Sequence, residues 1–82
     1  MNLNSPHKKG MFLENIKLGQ VVDIVLKKDQ RTGKLTRGKV RGILTSAAFH
    51  SRGIKVMLDT RQIGRVQEII EEREIRISES EL

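Results

Sequence analysis

Apolar and polar residues alternate most cleanly in two stretches of this chain. Val22, Ile24 and Leu26 face one way and Val21, Asp23 and Val25 the other. Ile54, Val56 and Leu58 repeat the pattern against Lys55, Met57 and Asp59. A period of two predicts a strand in each case. Val21 and Val25 on the second face predict that the first strand is partly covered on both sides, as at a barrel seam. Two more strands are predicted with broken phase. One covers about residues 36–45, where Val40 and Ile43 are three apart and Gly38 and Gly42 allow a bulge that puts both on one face. The other covers residues 62–67, with Gly64 breaking phase between Ile63 and Val66.

The connections follow from turn chemistry. Residues 29–34 place Asp29 and Gly33 where a chain reversal needs them, and residues 59–62 form a second, shorter reversal. Residues 46–52 are a polar connector holding Ala47, Ala48, Phe49 and His50. Ahead of the first strand, Met11, Phe12, Leu13 and Ile16 are expected to form a short turn covering one end of the core. Residues 68–77 fit either a helical face (Ile69, Ile70, Arg73, Ile77) or a strand; a short element ending in a helical turn is expected. The core is predicted to hold Val22, Ile24, Leu26, Val40, Ile43, Ile54, Val56, Leu58, Ile63, Val66 and Ile69. Short, bent, antiparallel strands of this kind specify a mainly β fold, a small SH3-like barrel of four to five strands. The expected domain is residues 11–77, between a disordered N-terminal tail (1–10) and an acidic tail (78–82).

Composition narrows the functional classes. With 82 residues there is room for one domain, and the absence of Cys removes disulfides and thiolate ligands as staples. No apolar run approaches the ~20 residues that span a bilayer, and no signal-peptide core is present at the N-terminus. A cytoplasmic protein without a membrane association is expected. A core of this size leaves no room for an enclosed substrate cavity of the usual ~300–1,000 Å³. Ser46, His50 and Asp59 have the residue types of a hydrolytic triad but no nucleophile-elbow context, so no enzyme, cofactor or catalytic residue is expected. His7 and His50 are the only imidazoles, and a metal site is not expected.

Charge then supplies the candidate chemistry. Residues 1–67 hold 14 Lys and Arg against 4 Asp and Glu, whereas residues 68–82 hold 2 against 6. Seven of those cations, Lys27, Lys28, Arg31, Lys34, Arg37, Lys39 and Arg41, fall within residues 27–41 against Asp29 alone. They decorate one predicted hairpin. Edge protection against strand-to-strand aggregation accounts for some of them, but a field this dense attracts polyanions. Arg31 has the planar fork that suits a bidentate phosphate contact. Lys28, Lys34 and Arg37 would supply field and position, while Thr32 and Gly33 shape the turn or offer backbone N–H groups to a phosphate. With no Trp or Tyr and only Phe12 and Phe49, the chain lacks a stacking platform for unpaired bases. Backbone-directed contact with structured RNA, such as ribosomal RNA, is therefore the expected use. The alternative is a protein-interaction module whose basic face meets an acidic protein, with Ile69, Ile70, Ile75 and Ile77 as a docking or dimer stripe. Phe49 is expected to cap the barrel mouth and His50 to hydrogen-bond its loop, with stacking of Phe49 on a base as the other use.

Residues 22–36, followed by Gly38, Val40, residues 43–45, His50, residues 53–56 and residues 64–67, resemble the YwbE family of small bacterial proteins. That resemblance covers roughly residues 16–67 and brings no biochemical activity with it. Two positions depart from the family pattern: Ser51 stands where Pro is usual after the His, and Thr60-Arg61 replaces an acidic-Gly turn. Without Gly, a turn other than type I′ is expected there. Arg37-Gly38-Lys39-Val40 is also similar to the KOW-type motif of SH3-like barrels, which implies contact with RNA or a protein partner beside the glycine.

Overall fold

A computed structural model of the chain describes residues 8–70. Four strands, β1 (Val21–Leu26), β2 (Thr36–Ile43), β3 (Lys55–Leu58) and β4 (Ile63–Ile69), close into an antiparallel barrel in which β4 returns to β1. The core is formed by Ile16, Val22, Ile24, Leu26, Val40, Ile54, Val56, Leu58 and Val66, with Leu13, Ile43 and Ile69 packed against it.

Two one-residue bulges reconcile the broken apolar phase with a single interior. In the β2–β3 register, Val40 faces Leu58 and Gly42 faces Met57, so Arg41 is the extra residue. The bulge lets Val40 and Ile43 share the inner face. In the β1–β4 register, Ile24 faces Val66 and Asp23 faces Glu68, so the extra residue is Gln67. This places Val66 and Ile69 inward and corrects the sequence reading, which put the break at Gly64. Strand parity then turns Ile63 outward. Expected in the core, it is 42% exposed, and Gly64 takes the inward position next to it. A Cβ at Gly64 would lie 2.4 Å from the Val25 carbonyl oxygen, so β4 crosses β1 here more closely than any side chain permits.

The segment ahead of β1 closes one end. Two 3-10 turns, Lys9–Met11 and Leu13–Asn15, lead into Ile16. Gly10 is buried and its carbonyl accepts the Ile54 N–H (2.9 Å), so the folded domain includes residues assigned above to the N-terminal tail. Ile54 in turn accepts the Val66 N–H (2.9 Å), which ties the entry segment, the start of β3 and β4 into one stack. Glu68 and Ile69 extend β4 and do not begin a helix. Residues 71–77 of that ambiguous stretch, the tail 78–82 and residues 1–7 lie outside the described residues.

Between β3 and β4, Leu58 accepts the Arg61 N–H (2.8 Å) and donates its own N–H to Gln62 (2.8 Å), with Arg61 at φ 75°. Asp59, Thr60 and Arg61 thus form a three-residue loop whose last residue is left-handed. As expected, type I′ is avoided, yet one non-glycine residue still adopts positive φ.

Candidate functional site

The basic loop forms because β1 and β2 pair directly, with Val21 opposite Lys39, Asp23 opposite Arg37 and Ile24 opposite Thr36. Leaving β1, the chain makes a 3-10 turn over Lys27–Asp29. The Asp29 carbonyl then accepts the N–H groups of Thr32 (3.2 Å) and Gly33 (2.8 Å), and Gly33 takes the left-handed φ of 76° that ends the turn. The Thr32 hydroxyl donates to Asp29 O (3.3 Å) and accepts the Lys34 N–H (3.3 Å). Thr32 and Gly33 therefore shape the turn with amides already committed inside it. Lys27, Lys28, Arg31 and Lys34 are all exposed around this frame. Asp29, the one acid of the stretch, has its Oδ2 shielded from solvent.

Arg37 occupies a different position from its neighbours in sequence. Its Nε donates to Asp23 Oδ1 (2.8 Å) and its Nη2 to Asp23 Oδ2 (3.1 Å), a fork-to-fork pair across β1 and β2. Asp23 is only 7% exposed and would be a costly buried carboxylate without that partner. The sequence reading gave Arg37 a field-supplying role; the register shows that its guanidinium also neutralises a buried charge. Both Lys39 and Arg41 are exposed on β2, Arg41 at the bulge. Gly38, inside the KOW-like stretch, faces inward opposite Val22, where a Cβ would stand 2.7 Å from Leu58 Cδ1. Its lack of a side chain is needed for core packing.

Barrel closure bears on why the cations are there. β1 pairs with both β2 and β4, and β2 with both β1 and β3. Neither strand of the basic hairpin is a free edge, so neither needs charged residues to deter strand addition.

Closure also assembles a second basic surface that does not follow the sequence. On the outer face, Val25 of β1 is opposite Arg65 of β4, and Arg65 is opposite Lys55 of β3. An open groove of about 480 Å³ runs there, lined by Val25, Gln30, Gly33, Arg52, Arg65 and Gln67. It continues past Lys27, Lys55 and Ile63. Arg65 Nη1 donates to Gly53 O (3.3 Å) and Gln67 Nε2 to Arg52 O (3.1 Å), which hold the floor in place. Arg52, Lys55 and Arg65 were absent from the sequence-derived site. Of the three only Lys55 had a legible outward parity, because their proximity depends on how β4 meets β1 and β3.

In the connector ahead of β3, Phe49 pairs with Phe12 in an isolated bridge, their ring centroids 5.2 Å apart at 51°. His50 Nδ1 accepts the Arg52 N–H (3.1 Å), and its carbonyl accepts that of Gly53 (3.0 Å). His50 thus hydrogen-bonds its loop as expected, while Phe49, 39% exposed, rests on Phe12. Among the described residues, no group of three His, Cys, Asp or Glu side chains is placed to hold a metal ion, and no helix is long and apolar enough to cross a membrane.

Together these features define a small closed β-barrel carrying a basic loop and a basic groove on its flank. Residues 9–69 match the family described as "Uncharacterized conserved protein (DUF2196)", and the chain belongs to it. It is 56% identical over 61 residues to the uncharacterized protein YwbE of Bacillus subtilis (strain 168), a match covering 74% of this chain and 94% of the relative. The resemblance to the YwbE family read from the residues is thus established. No solved structure matches the chain.

Proposed function

We propose that this chain is a non-enzymatic, cytoplasmic nucleic-acid-binding accessory protein that contacts structured RNA, such as ribosomal RNA, through its basic hairpin. One observation carries the reading. Exposed cations crowd a loop of a closed barrel that has no edge to protect, while Asp23 and the Oδ2 of Asp29 are withdrawn from the surface. A surface with exposed cations in this excess over carboxylates attracts polyanions. The aromatic inventory supports backbone contact over base reading, because Phe12 and Phe49 rest on each other.

Purification without nuclease tests it directly. The chain has no Trp or Tyr, so a strong 260 nm absorbance reports bound nucleic acid. Fluorescence anisotropy with ribosomal RNA fragments should then show affinity falling steeply with salt. A preparation free of nucleic acid, together with RNA binding too weak to measure at low salt, would overturn the reading. Nuclease-resistant capture of an acidic protein on the same loop would favour the alternative partner. The isoleucine stripe suggested for docking loses a member, since Ile69 packs against the core; Ile75 and Ile77 lie outside the described residues.

A further inference from the structure

The groove beside the loop is basic for reasons that stability does not supply. Lys55 and Arg65 face each other directly across β3 and β4, an arrangement in which like charges destabilise a sheet. Arg52 and Lys27 line the same groove, and no carboxylate of the described residues does. The acids nearest along β1 and β4, Asp23 and Glu68, form a cross-strand pair beyond the Ile24–Val66 pair. Both are already engaged, Asp23 by Arg37 and Glu68 by Lys8 at 3.8 Å. Arg65 is half-buried and oriented by its bond to Gly53 O, so its remaining N–H groups carry less conformational freedom into a contact than a free surface arginine would. Gln30 and Gln67 add neutral amides to the lining, and Val25 gives it an apolar floor. No aromatic ring lines it.

We propose that this groove is the seat of the RNA phosphodiester backbone. Arg65 takes one phosphate together with Lys55, and Arg52 and Lys27 flank it. An anion between Lys55 and Arg65 converts a repulsive pair into two attractive ones, which gives the pair a function that barrel stability does not. Gly33 and Gln30 bring the basic loop to the rim, so Arg31 and Lys34 act as the approach to this seat. The inference rests on the RNA reading above and locates its tightest contact away from the contiguous cation run.

The test uses the full ¹⁵N-labelled chain and a fluorescent RNA stem-loop, titrated across NaCl concentrations, with Lys55→Gln/Arg65→Gln as the groove variant. The expected result is a roughly tenfold or greater loss of affinity and a log K versus log salt slope shallower by about 0.7–0.9, from the one phosphate that the two side chains share. Amide shifts on RNA addition should centre on Val25, Lys55 and Gly64. Arg52→Gln, at an exposed position, gives an independent reading if the double variant folds poorly. RNA binding that is unchanged in both variants, with no shift at Val25, Lys55, Gly64 or Arg65, overturns the groove and leaves the RNA reading standing. A wild-type chain that does not bind the stem-loop overturns the RNA reading itself. If poly-glutamate shifts the groove amides while RNA does not, the groove is a seat for acidic protein and the proposal fails.

Discussion

At the seam where β4 closes the barrel, a Cβ on Gly53 would lie 2.2 Å from the Val66 carbonyl oxygen, and one on Gly64 would lie 2.4 Å from that of Val25. In the basic loop, a Cβ on Gly33 would meet nothing within 4 Å. Both regions use glycine, but the first needs it because two backbones touch, and the second only because its φ is 76°. The seam is fixed by tertiary contact, whereas the loop is fixed by hydrogen bonds among residues 29–34. A region held together locally can change its outward side chains without disturbing the core. That separation lets the loop be densely charged on a barrel whose stability rests elsewhere.

The largest expected effect breaks the seam. Gly53→Ala or Gly64→Ala forces a Cβ into carbonyl oxygen that cannot move without opening a strand pair, and either should cost more than ~4 kcal/mol. For a domain of this size that amounts to loss of folding, seen as collapsed dispersion in an amide spectrum. Gly33→Ala should cost only about 1 kcal/mol, the left-handed penalty less the gain from a stiffer unfolded chain. Similar midpoints in urea for the seam and loop variants would refute the distinction.

The next largest effect separates two arginines of the same basic run. Arg37→Gln leaves Asp23 with its buried carboxylate unpaired, and should cost about 1–3 kcal/mol in urea denaturation. Arg31→Gln should leave stability within about 0.5 kcal/mol, as exposed substitutions do, while weakening RNA binding and its salt dependence. If Arg37→Gln were as stable as wild type, the Asp23 pair would be an incidental contact and Arg37 would have no structural role beside its place in the basic run.

This division also marks what could be read from the residues alone. Strand positions and most of the core follow from side-chain parity, a local property, so β1 and β3 and the Val40–Ile43 bulge were legible. Ile63 was misread because its face depends on whether the one-residue shift lies at Gly64 or Gln67, and only pairing with β1 decides that. The loop cations were legible because they are contiguous. Arg52, Lys55 and Arg65 became a surface only once closure set β4 between β1 and β3. The Asp23–Arg37 pair was hidden for the same reason: residues 14 apart meet only if the hairpin register puts them opposite one another.

The smallest expected effect comes from a turn that shares the loop's constraint without its glycine. Arg61 sits at φ 75° after the Asp59-Thr60 reversal, next to the outward face of β4. A non-glycine residue there costs about 1–2 kcal/mol of backbone strain, partly offset because glycine would lose more freedom on folding. Arg61→Gly should therefore stabilise the barrel by about 0.5–1 kcal/mol, visible as a higher urea midpoint with an unchanged slope. The substitution also removes one cation that lines neither the loop nor the groove, so RNA affinity should hold constant. A gain in stability with unchanged binding separates conformational from electrostatic demands at this turn. A loss of binding would mean that the RNA surface extends past β4 to the β3–β4 reversal, and that the strain at Arg61 is retained for its charge.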